Sequence, residues 1–375
     1  MAENGSTNQS DKILATNAKF VPTALSASGG EDFACDSDAC DPVDWQTAMR
    51  LAVRNSRQLL EILGIPFDRA DSSDSGDSAV FSGIQGEQAF PTFVPLEFLR
   101  RMKHGDANDP LLRQVLPIAA EDVPQQGESA DPVGDLDSLS APGLLHKYHG
   151  RALLVVSGAC GVHCRYCFRR EFPYQQESGP VDRWNQAIEY LQRNPEIEEV
   201  LLSGGDPLTL TDQTLNHLID RLETVEHVRR LRIHSRMPIV IPQRVTERLI
   251  DRLAGSRLTA WLVVHANHPR ELDEHVLNAL ARLINRGIPV LNQAVLLRGV
   301  NDDSKTLADL CRRLVDHRIQ PYYLHQLDRV RGATHFEVSV DRGRRLIEEL
   351  REVLPGYAVP QYVVEQSGEP SKTPI

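Results

Sequence analysis

From about residue 150 onward, short apolar runs alternate with amphipathic segments. Six runs rich in β-branched and other apolar residues predict buried strands, at 152–157, 199–203, 230–235, 259–265, 289–297 and 320–325. Helical patterns separate most of them, at 213–224, 247–254, 271–286 and 303–317, and a last helix is predicted over 340–354. Strands that alternate with helices indicate a parallel sheet with right-handed crossovers.

Six strand–helix units are two fewer than a complete eight-fold barrel contains. The pattern therefore leaves two α/β folds open, an open six-unit barrel and a doubly wound sheet. In both folds the functional site lies at the C-terminal ends of the strands. Polar residues stand at or near those ends, including Ser203-Gly-Gly-Asp206, His234, His265, Gln293 and His325.

The first 142 residues show a different pattern. Residues 1–40 have little periodicity, and we expect them to be partly disordered. A helical pattern begins at Trp45 and continues to Leu63, where Gly64 is placed to end it. We expect a helical accessory region over 41–142 with an acidic loop at 68–78, a main α/β domain over 143–338, and a C-terminal helix and tail over 339–375.

Composition narrows the class of protein. With 375 residues, 41% of them apolar, the chain can bury a sizeable core. The net charge of −11 argues against binding to nucleic acid phosphates, since the acidic excess lies in the first 140 residues. No apolar run approaches the ~18–20 residues that cross a bilayer. Six cysteines favour a reducing cytoplasm over a disulfide framework, and Cys311 is expected to be a buried free thiol.

Three cysteines follow the first predicted strand in a C-x3-C-x2-C spacing, Cys160, Cys164 and Cys167. A [4Fe–4S] cluster normally takes four thiolates, so three leave one iron open to chelate a cosubstrate. This spacing is typical of radical S-adenosylmethionine enzymes. Two other interpretations are a thioredoxin-type pair and a zinc site. A redox pair has no need of Cys160, and only His163 lies nearby as a fourth zinc ligand.

Two further motifs carry chemistry. Gly204-Gly205 permits close backbone approach after the second strand, and Asp206 offers an acceptor for an ammonium group such as the amino end of methionine. Near the C-terminus, Lys372 stands between small residues. Lysine forms Schiff bases with pyridoxal phosphate, although an isolated C-terminal lysine is usually just solvated.

Taken together, these segments resemble the lysine 2,3-aminomutase family. The matching segments are C-x3-C-x2-C-F-R-R-x-F at 160–172, L-S-G-G-D-P-L at 202–208, H-A-N-H-P at 265–269, N-Q-A-V-L-L-R-G-V-N-D at 292–302 and G-E-P-S-K-T-P at 368–374. The likeness covers about residues 90–375. It is greatest to the short branch of the family, which serves the β-lysylation of elongation factor P.

The resemblance implies a partial (β/α)6 barrel that binds a [4Fe–4S] cluster, S-adenosyl-L-methionine and pyridoxal 5′-phosphate. It implies conversion of L-lysine to (R)-β-lysine, an external one-electron reductant, and a partner ligase that attaches the product to elongation factor P. Because the sequence lacks the zinc-binding cysteines that follow the lysine in the long enzymes, we expect no such zinc site.

Site residues are carried over by position. Lys372 is similar to the lysine that binds pyridoxal phosphate, and Arg169 to the residue that binds the substrate carboxylate. Asp328 matches one of two carboxylates for the distal ammonium group of the substrate. Glu365 stands where the long enzymes have the second, an aspartate.

The cofactor contacts are carried over in the same way. Lys147, Tyr148 and Arg151 resemble the contacts to the phosphate of pyridoxal phosphate. His265 and Gln293 resemble contacts to S-adenosylmethionine.

Two alternative functions stay open. One is an aminomutase for arginine or glutamate, although the paired carboxylates Asp328 and Glu365 argue against glutamate. The other is a non-catalytic iron–sulfur electron carrier or sensor, which has little need of Gly204-Gly205 or Lys372.

Overall fold

One sheet runs through the main part of the chain. The structure is a computed structural model, and it describes residues 43–66, 87–88, 90–177 and 182–375. Within these residues ten strands lie side by side in sequence order. They are β1 Leu139–Ala141, β2 Leu144–Tyr148, β3 Arg151–Ser157, β4 Glu199–Gly204, β5 Arg230–Ser235, β6 Thr259–His265, β7 Val290–Val295, β8 Gln320–His325, β9 Gln361–Val364 and β10 Thr373–Pro374.

The centre of the sheet is parallel. Strands β3 to β9 all run in one direction, whereas β1, β2 and β3 pair antiparallel, as do β9 and β10. The six predicted strands are confirmed as β3 to β8. The sheet also begins at Leu139, inside the segment that we assigned to the accessory region.

The helices mostly follow the strands. They are α1 Trp45–Leu51, α2 Ser56–Ile62, α3 Leu96–Leu99, α4 Pro110–Arg113, α5 Tyr174–Glu177, α6 Asp182–Arg193, α7 Asp212–Glu223, α8 Met237–Val240, α9 Glu247–Ala254, α10 Glu274–Asn285, α11 Ser304–Asp316 and α12 Val340–Val353. Side chains of Thr211, Thr246, Asp273, Asp303 and Ser339 cap α7, α9, α10, α11 and α12. The expected buried thiol of Cys311 is confirmed in α11.

Alternation along the strands gives the sheet two different faces. In β4, Val200 and Leu202 are fully buried in the core that the helices share. The residues between them, such as Leu201 and Ser203, line a cavity instead. Because one face contacts helices and the other encloses a cavity, the fold is an open partial barrel and not a doubly wound sheet.

The predicted helix over 45–63 is wrong in one respect, because it is two helices. Val53 leaves the helical path and forms an antiparallel bridge with Val94, and Asn55 then caps the second helix. Helix α6 was not predicted, although its buried Trp184 and Leu191 have helical spacing. The expectations for 1–40 and for the acidic loop at 68–78 lie outside the described residues.

The N-terminal helices pack directly on the barrel. The Arg244 guanidinium lies 4.8 Å from the centroid of the Trp45 ring. Just after α3, Arg101 donates a hydrogen bond from Nη2 to the Ile239 carbonyl in α8 at 2.6 Å. None of the helices in the described ranges is long and apolar enough to cross a bilayer.

Candidate active site

The three cysteines lie in the loop after β3, and the N-terminal region holds this loop in place. The amide of His163 donates to the Phe93 carbonyl at 3.0 Å, and the amide of Arg165 donates to the Gln114 carbonyl at 2.8 Å. The Arg165 guanidinium is fully buried and pairs with Glu121 at 2.5 Å. A loop fixed at several points presents its thiols in a set geometry, as a metal centre requires.

Cys160, Cys164 and Cys167 are free and partly exposed. Burial raises the pKa of Cys160 well above its usual value, and the charges of Cys167, Asp206 and Cys164 raise it further. Burial, with the charge of Cys164, raises the pKa of Cys167 to about 11. Because burial and the neighbouring thiolates disfavour the ionised forms of Cys160 and Cys167, a cationic centre beside them would favour their thiolates.

An iron–sulfur cluster is such a centre. In a [4Fe–4S] cluster each thiolate binds a different iron, so the thiolates stand further apart than around one ion. The donor set of three thiols on one short loop therefore fits a cluster with one open iron.

Two glycines bring the end of β4 against the beginning of the cysteine loop. Gly204 has a φ of +122°, and a Cβ atom there would lie 2.6 Å from the Ser157 carbonyl oxygen. The Gly205 amide donates to that oxygen at 2.7 Å, and the Asp206 amide donates to the Ala159 carbonyl at 2.7 Å. A side chain at either glycine would force the two segments apart.

The surroundings of the Asp206 carboxylate correct the role that we expected for it. One oxygen accepts from the Ser235 hydroxyl at 2.7 Å and from the Leu208 amide at 3.0 Å. The other accepts from the amides of Arg236 at 2.7 Å and Met237 at 3.1 Å. Both oxygens are therefore engaged within the protein, and the carboxylate ties the end of β4 to the end of β5. It is not available to a bound ammonium group.

A cavity of about 520 Å³ lies inside the open barrel, which is large enough for a small-molecule site. Phe168 and Arg169, which directly follow Cys167, form part of its wall, so the cysteine loop stands beside it. Nine residues predicted from the sequence line this one cavity: Lys147, Tyr148, Arg151, Arg169, His265, Gln293, Asp328, Glu365 and Lys372.

Five of the lining residues form a continuous chain of ion pairs. Asp135 pairs with Arg169 at 2.6 Å and with Lys147 at 2.5 Å. Lys147 also pairs with Glu365 at 3.1 Å, and the second oxygen of Glu365 accepts from Lys372. Three cations and two anions alternate in this series of ion pairs, which connects Arg169 at one end to Lys372 at the other.

The two predicted substrate carboxylates are in opposite electrostatic states. Burial alone would raise the pKa of Glu365, but the charges of Lys372 and Lys147 lower it to about 2. For Asp328, burial and then the charge of Glu365 raise the pKa to about 7. No side chain in the described ranges donates a hydrogen bond to the Asp328 carboxyl. Asp328 is therefore the carboxyl group that a cationic ligand would stabilise.

Three neutral histidines line the same cavity, His234, His265 and His325. Burial lowers the pKa of His265 to about 3, and the pKa values of His234 and His325 also lie well below their usual range because of burial. Their Nε2 atoms are buried and have no hydrogen-bond partner within the described residues. Buried polar atoms are nearly always hydrogen-bonded, so these nitrogens mark positions where a bound molecule would make hydrogen bonds.

Arginines stand at the other end of the cavity, near the beginnings of the strands. The Arg151 guanidinium lies 4.5 Å from the centroid of the Tyr148 ring. Arg232 pairs with Glu199 at 3.0 Å, and its buried Nε has no partner among the described residues. Burial, and then the charge of Glu365 and a hydrogen bond to it, raise the pKa of Tyr148, so this phenol stays protonated and donates to Glu365. An anionic group such as a phosphate fits these donors.

Asp135 is the site residue that sequence reasoning missed. It comes before the sheet, in a segment without strand or helix periodicity, and no motif surrounds it. His234 and His325 were noted only as polar residues near strand ends. Their period-two spacing along β5 and β8 was a usable signal, because it places them on the inner face of the sheet.

Comparisons with known proteins agree with this arrangement. Residues 154–311 match the model of the radical SAM superfamily. The chain is 46% identical over 332 residues to the L-lysine 2,3-aminomutase of Escherichia coli K12, covering 88% of this chain and 94% of that protein. It is 40% identical to the L-lysine 2,3-aminomutase of Haemophilus influenzae over 330 residues, 88% and 95% of the two chains. It is 40% identical to that of Clostridium subterminale over 279 residues, 74% and 67% of the two chains.

Proposed function

The chain belongs to the lysine 2,3-aminomutase family of radical S-adenosylmethionine enzymes, as its motifs predicted, and on that premise we propose its reaction. We propose that it converts L-lysine to (R)-β-lysine by moving the amino group from C2 to C3, with pyridoxal phosphate as a second cofactor. Membership of the family makes it an isomerase that uses a [4Fe–4S] cluster and S-adenosylmethionine. The observation that carries the proposal is one cavity, beside the cysteine loop, that holds Lys372, Asp328 and Arg169.

Cys160, Cys164 and Cys167 hold the cluster in this proposal, and His265 and Gln293 contact S-adenosylmethionine. The last two lie side by side on β6 and β7, and the His265 Nε2 is free of protein partners in the described ranges. When bound, the reduced cluster and S-adenosylmethionine would supply radical chemistry, and pyridoxal phosphate would hold the migrating amino group. The barrel wall orients these groups and excludes water.

Lysine presents one carboxylate and one distal ammonium group to the protein. Arg169 is buried and keeps Nη1 within 3.0 Å of the Ser203 hydroxyl, while its Nε pairs with Asp135. We assign the substrate carboxylate to Arg169, whose guanidinium has N–H donors beyond those that contact Asp135 and Ser203. We assign the distal ammonium group to Asp328, with Glu365 as the second carboxylate.

Pyridoxal phosphate is assigned to Lys372, whose amine reaches the cavity and contacts Glu365. Arg151 has no carboxylate partner in the described ranges, so its guanidinium suits the phosphate. Tyr148 is assigned beside it from the resemblance, and its hydroxyl is hydrogen-bonded to Glu365. Lys147 is already shared by two carboxylates. Lys147 therefore contributes positive charge near the phosphate and is not assigned a direct contact with it.

We also propose that the product serves the β-lysylation of elongation factor P through a partner ligase. The support is the resemblance of the motifs to the short branch of the family. On this proposal the enzyme works in the cytoplasm with an external one-electron reductant, where its free thiols stay reduced.

The test is anaerobic incubation of the cluster-loaded protein with S-adenosylmethionine, pyridoxal phosphate, dithionite and L-lysine. We expect β-lysine to accumulate, with none formed when S-adenosylmethionine or dithionite is left out. L-Arginine and L-glutamate are tested in parallel, because arginine also has a cationic end that suits Asp328. Cleavage of S-adenosylmethionine with lysine left unchanged would keep the radical chemistry and overturn the substrate. No cleavage at all would favour an electron carrier or sensor.

A further inference from the structure

A buried arginine from a neighbouring strand contacts one of the three cysteines. Arg236 directly follows β5, is only 5% exposed, and places Nη1 2.7 Å from the Sγ of Cys164. At this distance the guanidinium donates a hydrogen bond to the sulfur. Cys167, by contrast, receives its hydrogen bond from the backbone of Arg169. The charged donor therefore acts on Cys164.

The position of Arg236 is fixed by several contacts. Its Nη2 donates to Glu271 at 2.9 Å and to Gln114 at 2.6 Å. Its own amide donates to Asp206 at 2.7 Å, which is the carboxylate that ties β4 to β5. Glu271 and Gln114 are both fully buried. The guanidinium therefore has one orientation, and it cannot turn away from the sulfur without leaving buried acceptors unpaired.

A second donor stands at the same sulfur. The side chain of Tyr166 is hydrogen-bonded to Cys164, and its ring lies under the Arg236 guanidinium, 5.6 Å from centroid to Cζ. The Tyr166 oxygen accepts from the Asn267 side chain at 2.7 Å, which leaves its own hydrogen for the thiolate. The Arg236 Nε is buried and has no partner in the described part of the chain.

We infer that Arg236 is a positioning residue that sets the reduction potential of the cluster by donating a charge-assisted hydrogen bond to the Cys164 thiolate. Hydrogen bonds to the sulfurs and nearby charge are the means by which proteins shift cluster potentials. Reduction adds one electron from an external one-electron donor and breaks no bond, so the reduced cluster is more negative. A fixed cation and a donor at one thiolate stabilise that form and raise the potential.

The test is a redox titration of the iron-loaded, full-length protein, in which electron paramagnetic resonance measures the fraction of reduced cluster at each potential. Arg236→Gln should lower the midpoint potential by about 59 mV or more, which is a tenfold change in the equilibrium constant of a one-electron couple. Arg236→Lys keeps the charge and should lower it less. The matched control is Arg101→Gln, since the side chain of Arg101 is buried and donates to the backbone carbonyl of Glu271 but does not contact Cys164. Its potential should fall by less than that of Arg236→Gln, because Arg101 adds nearby charge but no hydrogen bond to the thiolate.

A variant of opposite sign separates tuning from mere support of the fold. Glu271→Gln keeps an acceptor for Arg236 but removes the negative charge, so the midpoint potential should rise. If Arg236→Gln does not hold iron, the other two variants test the inference. The midpoint potential should then fall in Arg236→Lys and rise in Glu271→Gln. An unchanged potential in these iron-loaded variants, or shifts of the same sign, would overturn the inference. It rests on the proposed cluster, and wild-type protein that fails to bind iron would contradict that assignment instead.

Discussion

Replacing Asp328 with asparagine separates the stability of the fold from its affinity for a cationic substrate. Burial and the charge of Glu365 raise the pKa of Asp328 from 3.8 to about 7. The folded state therefore binds this proton more tightly than the unfolded state. The stabilisation from Asp328 is fully present below pH ~4 and is lost as the pH rises to about 7. A pKa difference of about 3, at about 1.36 kcal/mol per unit, sets an upper limit of about 4 kcal/mol for that loss.

Asparagine does not titrate, so Asp328→Asn should be more stable than the wild type at neutral pH. The difference in the free energy of unfolding should grow between pH ~4 and ~7 and stay constant above that range. Catalysis should change in the opposite direction. Removing one partner of a buried charge pair costs about 2–5 kcal/mol, so kcat/KM for L-lysine should fall at least ~30-fold. In the wild type, kcat/KM should decline about tenfold per pH unit below pH ~7 as Asp328 becomes protonated.

Urea titrations and initial rates of β-lysine formation, both measured from pH 5 to 8.5, test this reasoning. Asp309→Asn is the control, because Asp309 is a surface carboxylate whose pKa is lowered by its hydrogen bond with Lys305. It should gain no stability as the pH rises and should leave the kinetics unchanged. A difference in unfolding free energy that is flat with pH would refute the electrostatic account of Asp328. An unaltered KM for lysine would refute its role in binding.

Four other changes have defined outcomes. Lys372→Ala should remove the pyridoxal label that borohydride fixes to the protein, as shown by peptide mapping, and a retained label would mean that another lysine holds the cofactor. Cys164→Ala should lose the cluster iron and the cleavage of S-adenosylmethionine, and a variant that still cleaves it would contradict the cluster assignment. Glu365→Gln should destabilise the protein above pH ~4.5 by up to about 3 kcal/mol and not at pH ~2, since the pKa of Glu365 is lowered to about 2; equal stability at neutral pH would contradict this. Gly205→Ala should reduce iron loading, because its Cβ would overlap the Ala159 backbone, and full loading would mean that the loop can yield.

The central strands were predictable because each carries several apolar residues that face the helices. In β6, for example, Ala260, Leu262 and Val264 are all buried. The strands β2 and β9 escaped prediction for a physical reason. They are only five and four residues long, and Lys147 in β2 faces the cavity, so the apolar signal is weak. Sequence periodicity reports burial in the core and gives little information where a strand lines a polar cavity.

The residues that line the cavity were easier to predict than the ion pairs between them. The family resemblance implied Arg169, Lys147 and Lys372 as site residues, yet it did not show that Asp135 and Glu365 join them in one chain of ion pairs. These contacts link residues that are far apart in the sequence, such as Lys147 and Glu365. Only the fold shows that Asp135 is such a partner, because no sequence pattern around this acidic residue indicates an ion pair.

Asp328 and Glu365 show what the folded arrangement adds. From the resemblance, both were assigned to the distal ammonium group of the substrate, Asp328 as a direct match and Glu365 in place of the aspartate of the long enzymes. In the structure, Glu365 is already paired with Lys147 and Lys372, while Asp328 has no donor in the described ranges, and their pKa values move in opposite directions. Environments that separate the pKa values of two neighbouring carboxyl groups give them different roles. Glu365 therefore holds Lys147 and Lys372 in place, and a cationic ligand beside Asp328 would lower the pKa of Asp328 and favour its ionised form. On the proposed function, a substrate with a neutral or anionic end would leave the Asp328 charge uncompensated, and we therefore expect Asp328 to favour lysine over glutamate.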